Sequence, residues 1–221
     1  MLLLSRNFCS RSVNASPISA SPAEQYLARR GLTLEAVPSD LRFARACRHP
    51  GGGRWPAIIA AVRDVDGRLV GVHRTYLTRD GSDKASIAPA RASLGPVRGG
   101  AVHLGLISGE VVVAEGIESA LAASLLMGGA PALAALGTSG LKNLILPPLP
   151  RAAHVLIFAD GDRPGLEATE TAAQRWRAEG RHVWTMRTPR ACDANDVVRL
   201  PEYRARFAQN PIVSSGFGPA C

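Results

Sequence analysis

The sequence predicts an α/β protein: a parallel sheet of about four strands flanked by helices, preceded by a small α+β unit. Three observations carry that prediction. From Glu110 onward, short apolar runs alternate four times with helix-like segments, the pattern of βαβ units whose strands are covered on both faces. Upstream, two alternating segments flank Asp66-Gly67, a hairpin connection that parallel strands cannot make. The charge is also divided: residues 1–100 hold 15 Lys and Arg against 7 Asp and Glu, whereas residues 101–221 hold 11 of each.

Taken in order, residues 1–22 read as a disordered leader. Leu2–Leu4 is too short for a secretory signal, and Arg6 and Arg11 are sparse for a transit peptide. Residues 23–108 form the small α+β unit. "SPAEQYLARRGL" has a serine cap at Ser21 and a glycine stop at Gly31, so it is a short helix. "HPGGGRWP" is a loop. Ala57 to Val62 and Leu69 to Leu77 are the hairpin strands. The basic, glycine-rich stretch from Thr78 to Gly100 is irregular and leads to a short apolar segment near Val102–Leu104.

Residues 109–200 form the α/β unit, and 201–221 are a tail. "VVVAEG" is a strand ending in an acid, and "IESALAASLLMGG" is a helix with a glycine stop. "PALAALGTSG" is a short strand, a loop and a helix start. "HVLIFADGD" is the third strand, followed by the helix "GLEATETAAQRWRAEG", and "RHVWTMRTP" is the fourth, followed by "CDANDVVRL".

Composition excludes several classes. With 46% hydrophobic and 20% charged residues the chain is globular, and no apolar stretch reaches the length of a membrane span. Cys9, Cys47, Cys192 and Cys221 form no C-x-x-C pair, which argues against a zinc ribbon or a disulfide scaffold and for a reducing, cytoplasmic setting. The net charge of +8 lies in the first half. It fits either a polyanionic partner such as nucleic acid or the surface of a protein from an arginine-rich proteome.

The acids mark the candidate site. In a sheet of βα units all strand C-termini lie on one edge, where ligands bind. Glu115 ends the first strand, and Asp160 and Asp162 end the third. If those strands are neighbours, three carboxylates converge and repel unless a cation neutralises them. Oxygen ligands of this kind suit Mg²⁺, with Mn²⁺ as a substitute, and the lack of nearby His or Cys argues against zinc. The alternative is that Asp160 and Asp162 cap the following helix, with Pro164 in its first turn.

"VVVAEGIESALAA", "ALGTSG" and "VLIFADGDRPGLEAT" together resemble the Toprim domain shared by bacterial primases, type IA and II topoisomerases and related nucleases. Its signature is a glutamate after the first strand and D-x-D-x-x-G after the third, here Glu115 and Asp160 to Gly165. Within that superfamily "LGTSGL" and "CDANDVV" resemble segments of DnaG-type primases. The second implies Asp193 as a further acid near the metals, with Cys192 where a lysine is common; plain N-capping explains Asp193 and Asn195 equally well.

Upstream, "DKASIAPARASLGPVRGGAVHLG" and "VRDVDGRLVGVHRTYL" resemble the Toprim-containing primases of phages and plasmids. The resemblance implies Arg74 and Lys84 as contacts to nucleotide or template phosphates, and Thr138 with the backbone around Gly137 and Gly140, at a helix start, is read as offering N–H groups to a phosphate. It implies a Mg²⁺-dependent nucleotidyltransferase acting on single-stranded DNA and nucleoside triphosphates. Any helicase is a separate partner, because no G-x-x-x-x-G-K-[ST] motor motif is present. Phosphodiester cleavage and non-catalytic DNA binding are the rival functions. His73 reads as a half-exposed strand residue and Glu118 as a solvated helix residue. Trp55, Trp176 and Trp184 read as core rather than as base-stacking residues.

Overall fold

The computed structural model describes residues 15–33, 37–187, 198–201 and 205. The chain divides into two compact units, Met1–Val97 and Arg98–Cys221.

In the first unit, helix α1 (Pro22–Arg29) starts as its sequence requires: Ser21 caps it by accepting from the Ala23 amide at 3.2 Å. Strands β1 (Leu41–Arg48), β2 (Arg54–Arg63), β3 (Leu69–Tyr76) and β4 (Arg91–Leu94) form an antiparallel sheet in that order. The predicted hairpin is β2–β3, with Ala57 opposite Tyr76 and Ile59 opposite Arg74. Asp64 closes its turn by accepting from the Asp66 and Arg68 amides, and Gly67 takes the left-handed conformation at φ 78°. β1 and β4 were not predicted. In β1 a bulge between Ala44 and Cys47 breaks the alternation that would have revealed it. Bidentate bonds of 2.6 Å from Arg63 to buried Asp40 fasten the entry to β1 onto the end of β2.

In the second unit, β5 (Ala101–Leu104), β6 (Glu110–Ala114), β7 (Ala132–Ala134), β8 (His154–Ala159) and β9 (His182–Arg187) are ordered β5-β7-β6-β8-β9. The last four are mutually parallel, as predicted. β5, grouped with the first half by sequence, runs antiparallel to β7 and belongs here. Helices α2 (Ile117–Leu126), α3 (Thr138–Asn143) and α4 (Arg163–Ala178) form the connections.

The odd-numbered strand residues Val111, Val113, Val155, Ile157 and Val183 pack with Ala168, Ala172 and fully buried Trp176 of α4. α2 packs against β6 and β7. Gly140 lets α3 lie on the backbone: a Cβ there would fall 1.7 Å from the Ala135 carbonyl oxygen. The Arg181 guanidinium, buried to 4% exposure, donates to the carbonyls of Pro147, Arg151 and Ala152 and so pins the loop that enters β8. Among the described residues no helix is long and apolar enough to cross a membrane.

Candidate active site

β6 and β8 are adjacent and parallel, with Ala114 opposite Phe158. The condition for convergence is therefore met: Glu115 leaves β6 beside the point where Asp160 leaves β8. The packing around Gly165 measures how close the acids come. A Cβ on this residue would lie 2.7 Å from Glu115 Oε1, 2.8 Å from Asp162 Oδ1 and 3.1 Å from the Asp160 carbonyl oxygen. Two carboxylates from different strand ends thus share the space a side chain at Gly165 would fill. Glu115 is buried, Asp160 half-buried and Asp162 exposed, so the acids form a gradient from core to solvent.

Each acid is held by the backbone or by a neighbour. The Glu115 carbonyl accepts from the Gly137 amide at 2.9 Å, which ties the end of β6 to the loop after β7. Asp162 is the N-cap of α4, its Oδ1 accepting from the Gly165 amide at 2.7 Å. The capping role foreseen as an alternative is thus real for Asp162, and it coexists with the approach to Glu115. The Ser119 hydroxyl donates to Asp160 Oδ1 at 3.4 Å, a contact sequence reasoning missed although Ser119 lies one turn beyond Glu115. Glu118 is 6% exposed, not a solvated helix residue, because the first turn of α2 is itself buried.

Among the described residues no group of three or more His, Cys, Asp or Glu side chains is placed to hold a metal on its own. The three carboxylates therefore do not make a closed cage. That is compatible with Mg²⁺, which keeps several waters and takes one or two carboxylates together with substrate phosphates. The all-oxygen donor set fits such an ion, and Glu115, Asp160 and Asp162 are the residues that would hold it.

The other predicted residues fall differently. The Gly137 amide is engaged by Glu115, so this glycine positions the acid and does not present its N–H to a phosphate. Leu136 and Gly137 are both left-handed, at φ 69° and 111°, and such strain in a non-glycine residue is characteristic of functional loops. Thr138 is half-buried at the start of α3. Asp193 lies outside the described residues.

Arg74 and Lys84 belong to the first unit. Arg74 is buried on β3, and its guanidinium donates to the Arg48 carbonyl at 3.2 Å and the Ala92 carbonyl at 3.4 Å. It is a brace within the sheet, neither an exposed strand residue nor an open phosphate ligand. Lys84 is half-buried in a loop ordered by acids. Asp80, bonded by the Thr78 hydroxyl and the Ser82 amide and hydroxyl, has its carboxyl lowered to about 2. Asp83 accepts from the Lys84 amide and from Arg30, and both hold it below the usual carboxylate range. His73 is 9% exposed and bonded to Ser93, more buried than predicted.

The fold and the site define an open parallel α/β unit with an acidic strand-end edge. Comparison narrows this class: residues 110–201 match the Toprim domain model, so the second unit carries a Toprim domain. Residues 8–104 match a domain of unknown function (DUF7146). Among solved structures, the DnaG primase catalytic domain bound to ssDNA is 21% identical, with 90% of this chain and 76% of that chain covered and a TM-score of 0.51.

A DNA primase domain from Pseudomonas aeruginosa is 20% identical over 89% of this chain, with a TM-score of 0.48, and this chain spans 63% of that one. The primase fragment of the bacteriophage T7 primase-helicase protein is 17% identical, with 88% and 74% covered and a TM-score of 0.48. At these identities the likeness is one of fold. Comparison with curated proteins gives no match.

Proposed function

We propose that this chain is a primase-like nucleotidyltransferase that joins nucleoside triphosphates into short primers on single-stranded DNA, in replication of the phage or plasmid type. The observation that carries this is the meeting of Glu115 and Asp162 around Gly165 on the edge formed by adjacent parallel strands β6 and β8. The fold shared with a primase catalytic domain bound to ssDNA supports the choice of reaction over others that acids of this kind serve.

When bound, Mg²⁺ supplies charge neutralisation for a triphosphate and lowers the pKa of an attacking hydroxyl. In this proposal Glu115 accepts the 3′-hydroxyl proton: it is the buried acid of the set, and a general base needs a fixed position within hydrogen-bond reach of the proton it takes. Asp162 and Asp160 hold negative charge at the rim, oriented by the Gly165 amide and by Ser119. Thr138 stands at the neighbouring strand end. Unwinding falls to a separate helicase.

Purified protein, a single-stranded template, Mg²⁺ and labelled nucleotides test this directly. A metal-dependent ladder of short products supports the proposal. Cutting of the template points to nuclease chemistry, and DNA binding without either reaction refutes both enzymatic functions.

A further inference from the structure

The first unit holds a conflict of like charges on its sheet. Register places Arg48 directly opposite Arg54 across β1 and β2, and like charges facing each other across strands destabilise the pairing. From Leu41 to Arg63 the sequence contains no Asp or Glu. Arg30, Arg63 and Arg68 of the same unit are each paired with an acid: Asp83, Asp40 and Asp66. Among the described residues Arg45, Arg48 and Arg54 have no ion pair, and all three are exposed.

Register also settles which side of the sheet they occupy. The bulge adds one residue to β1 and none to β2, so Arg54 shares a face with Pro56 and Ile58. Phe43 is opposite Ile58 and Arg48 opposite Arg54, which brings both to that face. Arg45, two residues beyond Phe43, joins them. Phe43 and Arg45 line a groove of about 370 Å³ together with Ser16, Ser19, Ser21 and Pro22 at the start of α1. The Arg54 guanidinium donates to the Ala46 carbonyl in the bulge at 3.2 Å, beside Arg45. The other face packs Ala44, Cys47, Ala57 and Ile59 into a core cluster, and exposed Arg42, opposite Ile59, lies on that side.

The groove adds donors to the cations. Ser16 and Ser19 are exposed along it. The acid beside it is Glu24, whose carboxylate already accepts from the Ala20 amide at 2.7 Å.

We propose that Arg45, Arg48 and Arg54 hold backbone phosphates of single-stranded DNA, with the serine hydroxyls of the adjoining groove as further donors. The proposal rests on single-stranded DNA being the template. Guanidinium offers donors and no acceptor and takes phosphate bidentately, so such contacts position a strand without reading its sequence. Facing strand residues lie about 5 Å apart, and Arg45 is about 10 Å along the strand from Arg48. A lone phosphate ion therefore serves the Arg48–Arg54 pair and leaves Arg45 idle. Three cations within that span suit a polymer charged at every residue, which nucleic acid is and a peptide is only in an unbroken run of acids.

The test measures binding of a labelled oligothymidylate by fluorescence anisotropy across a potassium chloride series. Wild type is compared with Arg45→Gln, Arg48→Gln, Arg54→Gln, the triple variant, and Arg42→Gln, which removes the same charge from the opposite face. Each of the three single changes is expected to weaken binding about 5-fold at low salt. Each lowers the slope of log affinity against log salt by about 0.7, and the triple variant lowers it by about 2. Arg42→Gln leaves the slope unchanged, and polyglutamate of equal charge competes poorly with unlabelled oligothymidylate. All four arginines are exposed, so the variants melt as wild type does.

An unchanged slope in the triple variant, with wild type binding, overturns the phosphate track and leaves the template intact. An equal loss in Arg42→Gln shows a general charge effect and also overturns it. Equal competition by polyglutamate overturns it in favour of an acidic protein partner. Failure of wild type to bind overturns the track and the template together.

Discussion

Replacing Gly165 by alanine tests whether the two acids must share the space beside it. The new Cβ would sit 2.7 Å from Glu115 Oε1 and 2.8 Å from Asp162 Oδ1, against ordinary contact beginning near 3.4 Å. Both carboxylates therefore retreat by roughly half an ångström, and displacement on the order of 1 Å costs a positioned reaction about 100-fold. Activity is expected to fall about 10- to 100-fold, with more Mg²⁺ needed for half-maximal rate. Stability moves much less. Gly165 lies in the first turn of α4, where alanine gains about 0.5–1 kcal/mol of helix preference against about 1–3 kcal/mol for overpacking. Nucleotide incorporation against Mg²⁺ concentration and thermal melting separate the two effects. Unchanged incorporation with an unchanged Mg²⁺ requirement would refute the shared space as part of the active site.

Other expectations follow from single contacts. Arg181→Ala strands the Pro147, Arg151 and Ala152 carbonyls and is expected to cost about 2–4 kcal/mol in urea unfolding; a loss under 0.5 kcal/mol would contradict the pinning role. Asp40→Ala leaves Arg63, itself a third exposed, without its bidentate partner, and about 1–3 kcal/mol is expected from the same measurement. Burial pushes the Tyr76 phenol up to about 12, and its hydroxyl donates to the Arg48 carbonyl at 2.9 Å. Its contribution to stability is therefore full below about pH 10, the unfolded value, and is lost as pH rises through about 12. Phenolate absorbance should show at least one of the three tyrosines titrating late, and a single transition of all three near 10 would refute this.

The acidic edge was legible because the strands before Glu115 and Asp160 are unbroken apolar runs, so their ends are marked in the sequence itself. The adjacency of β6 and β8 was not, since strand order depends on how helices cross over the sheet. Arg74 reads as a surface residue in any linear scan, and only the register against β4 and the Arg48 carbonyl reveals a brace. Glu118 misleads in the same way, because a carboxylate in a first helical turn is ordinarily solvated. The signature glycine at 165 was visible, but its reason, two carboxylates closing on one point, exists only in three dimensions. The opposition of Arg48 to Arg54 likewise arises from a register, here one shifted by the bulge in β1.

The most direct measurement is primer synthesis on a single-stranded template by wild type and by Glu115→Gln, which keeps the shape of the side chain and removes its charge. Loss of a positioned base lowers rate by about 10²- to 10⁴-fold, so the variant should make essentially no product while melting as wild type does. Synthesis at an undiminished rate by Glu115→Gln would show that the acidic edge of β6 and β8 is not where the bond is made.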